Sequence, residues 1–178
     1  MFVLMLSVAG NETTRNLLSG GVKLLMEHPK QRQEMVDDPS LIPNALEEML
    51  RIVTPVNYMR RTAVEDCEVR GVKIKAGDKL AICYASANRD EDIFEDPHTF
   101  DIHRKNARDH VAFGIGEHFC LGANLARLEI RVIFEEVLGR IADMQIDGAY
   151  RKLQSNYING VKEMQVRFTP EAPADAAQ

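Results

Sequence analysis

The spacing of apolar residues changes along the chain, and each spacing predicts a different element. Residues 2 to about 27 open on the apolar run FVLMLSVAG. They predict one long helix ending at His28-Pro29, because proline disfavours helix in the residue before it. Gly20 and Gly21 weaken it locally. Pro29 suits the first turn of a short helix through about Val36. Ser40 is a good N-cap for a third helix, with Leu41, Ala45, Met49 and Ile52 at helical steps, which must stop before Pro55. From Asn57 to about Ser86 the pattern becomes strand-like, with turns at Arg70-Gly71 and Ala76-Gly77. Residues 88 to 112 read as loop. A strong helix follows, from about 121 to 140, with two apolar stripes: Leu121, Leu125, Leu128, Val132, and Ile130, Phe134, Val137, Ile141. Two stripes predict burial on more than one side. Residues 150 to 169 read as a hairpin turning at Asn159-Gly160.

Composition narrows the class only a little. The chain has 178 residues and a net charge of −5. That is long enough for one domain with a real core. The negative charge speaks against a nucleic-acid binder, which usually shows a basic face. Cys67, Cys83 and Cys120 cannot all pair and form no disulfide framework, which fits a reducing cytoplasm. Cys67 and Cys83 read as ordinary, partly buried thiols. The opening run MFVLMLSVAG is too short to span a bilayer and has no preceding basic residue, so it reads as a piece of buried helix. The closing run TPEAPADAAQ reads as a disordered tail.

The chemistry centres on FGIGEHFCLG, residues 113 to 122. A thiolate is a strong donor to haem iron and to zinc. A zinc site around His118 and Cys120 would need more ligands, and no second cluster with ligand spacing exists. A haem needs only the one thiolate on that side. Gly114 and Gly116 allow positive φ and close approach to a flat ligand. Backbone N–H groups aimed at the sulfur would tune it, and the following helix start favours thiolate over thiol. The bland alternative is a turn that happens to contain a cysteine.

Phe113-Gly-x-Gly-x-His118-x-Cys120-x-Gly122 resembles the haem-binding signature of the cytochromes P-450. Two further stretches are similar to that family. Ala9-Gly10-Asn11-Glu12-Thr13-Thr14 resembles its oxygen-activating stretch. Glu48-Met-Leu-Arg51 resembles its buried Glu-x-x-Arg, whose later arginine partner falls on Arg104. Residues at i and i+3 share a helix face, so Glu48 and Arg51 form a ready ion pair on any reading. Thr13 can hydrogen-bond back to its own helix ladder.

The resemblance implies a mainly α fold with small β-sheets. It implies haem b (iron protoporphyrin IX) as cofactor, with Cys120 as the axial thiolate. Glu12 and Thr13 would deliver protons, and Gly10 would leave room for dioxygen. Arg61, His110 and His118 would hold the haem propionates, with Phe113 and Gly114 bordering the ring. Glu48, Arg51 and Arg104 would support the cysteine loop. Pro55, Val56 and Asn57, within Thr54–Tyr58, and Ile158 with Asn159 would touch an apolar substrate. The implied reaction is monooxygenation with electrons from NAD(P)H through a ferredoxin and its reductase. His103, Arg104, Lys105 and Arg108 offer that donor a basic patch. The implied setting is a cytoplasmic protein without a membrane span. Within the family the chain looks most like actinobacterial members acting on sterol side chains, branched lipids or terpenoids. The resemblance covers residues 5 to about 168, while family members are more than twice this length. The expected organisation is therefore a C-terminal haem-binding half, 1–169, with the amino-terminal half absent and a tail over 170–178. A truncated, non-catalytic haem-binding fragment is the alternative.

Overall fold

A computed structural model describes residues 2–170. The elements run in the order α1 (Phe2–Glu27), α2 (Pro29–Asp37), α3 (Ile42–Val53), β1 (Tyr58–Thr62), β2 (Cys67–Val69), β3 (Val72–Ile74), β4 (Lys79–Cys83), α4 (Tyr84–Ala87), α5 (Ala123–Arg140), β5 (Gln145–Lys152) and β6 (Val161–Arg167). Helices dominate and the sheets are three antiparallel pairs, β1–β4, β2–β3 and β5–β6. This matches the expected mainly α fold with small sheets. The tail expected over 170–178 lies, apart from Pro170, outside the described residues.

The core forms where α1, α2, α3 and α5 meet, around Leu17, Leu25, Met35, Met49, Ile130 and Phe134. The two glycines that weaken α1 as a helix are what let it pack. A Cβ on Gly20 would stand 2.8 Å from Val53 Cγ1, and one on Gly21 would stand 2.8 Å from Phe134 Cζ and 2.9 Å from Met49 Sδ. Their missing side chains bring α1 against α3 and α5, so a local propensity cost is offset by packing.

Several elements differ from the sequence-based expectation. Ser40 is not the N-cap of α3. Asp38 Oδ1 accepts a hydrogen bond from Ser40 N at 3.0 Å and caps a 3₁₀ turn over 39–41, and α3 starts after it at Ile42. The strand region does not run to Ser86, because β4 turns directly into α4 at Tyr84. The last pair does not turn tightly at Asn159-Gly160. Its strands are joined by a loop over 153–160, in which Ser155 Oγ accepts from the N–H groups of Tyr157 and Ile158. Of the two expected stripes, Ile130 and Phe134 on α5 are buried, but Leu121, ahead of the helix, and Leu125, Leu128 and Val132 on it are exposed, since nothing among the described residues packs on them. Val3 and Val8 on α1 are likewise exposed, not buried as the opening run suggests. Cys67 and Cys83 are exposed thiols on narrow two-stranded sheets, not the partly buried ones expected. Among the described residues no helix is long and apolar enough to cross a membrane.

Helix α3 ends in a strained residue that serves the site. Thr54 has φ 43°, a left-handed conformation that a β-branched residue rarely adopts. Pro55 disfavours continued helix at Thr54. Three hydrogen bonds hold the turn: Thr54 N to Leu50 O, Thr54 Oγ1 to Arg51 O, and Asn88 Nδ2 to Thr54 Oγ1. Asn88 Oδ1 in turn accepts from Val111 N at 2.7 Å. The end of α3 is thereby tied to the segment that leads into the cysteine loop.

Candidate functional site

Glu48 and Arg51 are fully buried on α3 and bonded twice, at 2.7 Å each. Arg51 places its remaining donors on the carbonyl oxygens of Asn88, Pro97 and Thr99, so all five of its N–H groups are used. Its guanidinium also stacks on Phe94, 5.0 Å from the ring centre. Arg104 arrives from the loop, donates from Nε to Glu48 Oε1 at 3.1 Å, and caps the carbonyls of Glu95, Asp96 and Thr99. The three residues therefore come together as expected. They organise residues 88–104, which has little regular structure of its own, by satisfying its buried carbonyls.

The cysteine loop leaves this support and turns on two glycines. Gly114 has φ +76° and Gly116 φ +72°. Gly114 is also crowded, since a Cβ there would approach Tyr84 Oη to 3.1 Å. Gly114 N donates to Val111 O at 2.8 Å, and Cys120 N donates to Phe113 O at 2.9 Å, which closes the loop on itself. The Cys120 thiol is exposed, beside the exposed side chains of Ile115, Phe119 and Leu121. No backbone N–H among the described residues reaches its sulfur with a hydrogen bond, contrary to the expectation. Helix α5 begins at Ala123, three residues on, and Ala123 N donates to the Cys120 carbonyl, not to the sulfur.

His110 is not placed to hold a propionate. Its side chain is 1% exposed, and both ring nitrogens are engaged inside the chain. Nδ1 accepts from Ala112 N at 3.1 Å, so Nε2 carries the proton and donates to Glu47 Oε2 at 3.0 Å. Glu47 also takes a two-pronged bond from Arg127, at 2.7 and 3.0 Å. Burial pushes the Glu47 carboxyl up, but the hydrogen bonds of His110 and Arg127 outweigh it and hold the pKa at about 2. Arg127 stacks on Phe113 at 4.6 Å, and His110 lies against the same ring. Glu47 and Arg127 escape sequence reasoning. The one available signal was a second acid beside Glu48, on a helix whose neighbouring positions are buried.

On α1, Thr13 Oγ1 donates to Ala9 O at 2.7 Å, the back-bond that its position allows. Glu12 is half exposed and bonded by Arg15 Nη2 at 2.8 and 2.9 Å. A Cβ on Gly10 would meet nothing within 4 Å, so this face of the helix is open. The substrate candidates are brought together. Val56 and Ile158 form a β-bridge, Asn57 N donates to Tyr157 O, and Asn159 N donates to Pro55 O. Gly160 closes this loop against α1, where a Cβ would stand 2.7 Å from Asn16 Oδ1.

The donor set fits a haem. The one thiol in the glycine loop is exposed and edged by apolar side chains, as a flat, largely apolar ligand requires. Arg61, on β1, is half-buried, and its guanidinium bonds only the Arg60 carbonyl at 3.0 Å, with no carboxylate partner among the described residues. His118 is exposed at the loop's 3₁₀ turn. One guanidinium and one exposed imidazole thus stand ready for carboxylates. Among the described residues no group of three or more His, Cys, Asp or Glu side chains could hold a metal ion, which the zinc alternative needs. The basic patch is smaller than expected: Arg104 is buried on Glu48 and His103 is bonded to Glu34 at 2.7 Å.

The family model for cytochrome P-450 matches residues 1–141. A methyl-branched lipid omega-hydroxylase of Mycobacterium tuberculosis is 48% identical over 170 residues, covering 94% of this chain and 40% of that protein. A steroid C26-monooxygenase of Mycolicibacterium smegmatis is 45% identical over 172 residues, covering 96% of this chain and 43% of the relative. Among solved structures, cytochrome P-450-153 from Novosphingobium aromaticivorans superposes with a TM-score of 0.89 at 43% identity, over 94% of this chain and 42% of that one. The chain spans about two fifths of the length of the curated relatives it matches.

Proposed function

The chain belongs to the cytochrome P-450 family, and from that premise we propose that it is the haem-thiolate part of a monooxygenase that hydroxylates an apolar substrate. The observation that carries this reading is the exposed Cys120 thiol in a self-closed glycine loop, backed by the buried Glu48–Arg51–Arg104 network. Haem b, when bound, supplies the activation of dioxygen that puts one oxygen atom into a C–H bond while the other leaves as water.

Cys120 would hold the iron through its thiolate. Arg61 and His118 would take the two propionates; His110 is withdrawn from that role because Glu47 and Ala112 N occupy its ring. Thr13 holds a proton at Oγ1, donated to Ala9 O, and can turn it toward the open face beside Gly10. Glu12, at the solvent edge and steadied by Arg15, is placed to pass protons from water toward Thr13. The bridge of Val56 with Ile158, next to Pro55 and Asn57, forms an apolar edge for substrate. That edge, together with the activities named for the relatives, favours a branched lipid or a steroid side chain. Electrons would reach the site from NAD(P)H through a ferredoxin-type donor in the cytoplasm. Lys105 and Arg108 remain as docking cations.

The exposed Val3 and Val8 on α1 and the exposed stripe on α5 favour a second reading, a haem-binding fragment without catalytic turnover. A carbon-monoxide difference spectrum of the reduced, haem-loaded protein, with Cys120→Ser beside it, tests the first. A strongly red-shifted Soret band that disappears in Cys120→Ser supports thiolate ligation, and a band that survives the substitution sinks it. Substrate hydroxylation with a reconstituted donor separates the enzyme from the inert fragment.

A further inference from the structure

The network around Glu47 has no role in the reading above. Helix α3 carries two adjacent buried acids that face different ways. Glu48 collects Arg51 and Arg104. Glu47 collects one cation and one imidazole, and these lie on opposite sides of the cysteine loop. His110 precedes Cys120 by ten positions and Arg127 follows it by seven. A single carboxylate thus pins both ends of the loop to one helix.

The connection to Cys120 can be followed atom by atom. Arg127 donates from Nε and Nη2 to the two Glu47 oxygens, a fork that fixes the plane of its guanidinium. Its Cζ lies over the Phe113 ring, 4.6 Å from the ring centre. The His110 ring stands on the same phenyl group, 5.9 Å between centres. The Phe113 carbonyl accepts the Cys120 N–H at 2.9 Å. Glu47 therefore positions Phe113 through both its partners, and Phe113 positions the cysteine backbone. Arg108 stands 3.9 Å from Glu47 Oε1, but its side chain is largely exposed and adds little.

We infer that Glu47 and Arg127, acting through His110 and Phe113, are positioning residues that hold the Cys120 backbone in place and so keep the sulfur firmly on its ligand. The part concerning the bound ligand rests on the haem-thiolate reading; the part concerning the loop does not. Glu47→Gln keeps the shape and removes the charge, Glu47→Ala removes the anchor, and Arg127→Lys keeps the charge but loses the fork and the stack.

Two measurements on the haem-loaded protein and on the same chain without haem test it. Hydrogen exchange of the peptide spanning 111–122 is expected to quicken at least tenfold in Glu47→Ala, with the β1–β4 strands unchanged. The thiolate-type carbon-monoxide band is expected to convert to the thiol type several times faster in Glu47→Gln than in the parent, with Arg127→Lys between them. Unchanged exchange over 111–122 overturns the inference. Faster exchange with an unaltered rate of band conversion overturns the ligand-holding part and leaves Glu47 a purely structural residue. Should the parent show no thiolate-type band, the haem-thiolate reading itself fails, and the exchange data alone decide whether Glu47 clamps the loop.

Discussion

Arg51 and Glu48 meet through two 2.7 Å hydrogen bonds, with both side chains wholly out of water. An ion pair this deep is weak evidence of stabilisation relative to an apolar pair, but breaking it strands a charge. Arg51 also satisfies the loop carbonyls of Asn88 and Pro97 and shares that of Thr99 with Arg104. Arg51→Ala is expected to lose roughly 3–5 kcal/mol of stability, read from urea unfolding. Arg51→Lys restores the charge without the five-donor fork and should recover less than half of that. Full recovery by lysine would show that charge alone matters.

Glu47 makes stability depend on acid. Its carboxyl sits at about 2 when folded, against an ordinary 4.5, because His110 and Arg127 favour the ionised form over the opposing effect of burial. The folded pKa is the lower one, so the unfolded chain binds the proton more readily. The stabilisation is complete above pH 4.5 and disappears as pH falls from 4.5 toward 2. Its upper size is about 3 kcal/mol. Urea midpoints followed downward from about pH 6 should fall in the parent and fall less steeply in Glu47→Gln. Parallel slopes would remove Glu47 from the acid response.

Gly114 combines a positive φ with a close neighbour. Gly114→Ala should cost about 1–2 kcal/mol from the left-handed backbone alone. Tyr84→Phe in that background removes the hydroxyl that a Cβ would approach. It is expected to leave most of the loss, because the backbone conformation persists. Rescue by Tyr84→Phe would instead assign the loss to the 3.1 Å contact.

Gly21 sets how closely α1 lies on α5. Gly21→Ala gains helix propensity of about 1 kcal/mol, yet its Cβ would press on Phe134 and Met49, and overpacking costs about 1–3 kcal/mol. A net loss in thermal unfolding is expected, and Phe134→Leu should reverse part of it. A Gly21→Ala variant more stable than the parent would mean that the helices separate freely.

The parts that could be read in advance share one property: their meaning is local. Glu48 and Arg51 lie three residues apart on one helix, so their pairing follows from helical geometry. The Thr13 back-bond spans four residues and is a property of the helix turn. The glycine loop announces itself because positive φ falls on residues without a Cβ. Misreadings arose where a partner comes from far along the chain. His110 reads as a partner for a haem propionate until Glu47, 63 positions earlier, is seen to hold it. The turn expected at Asn159-Gly160 becomes a longer loop because Asn159 bonds Pro55 and Val53 instead of closing a hairpin.

The sequence by itself determined the long helices, the cysteine loop and the i, i+3 pair, because backbone sterics and helical period act between near neighbours. Only the tertiary structure decided which acid holds which cation, that Gly20 and Gly21 serve packing, and that one face of α5 is left uncovered. Those outcomes depend on desolvation and contact between segments, and a residue's environment there is made by others that its own neighbourhood does not name.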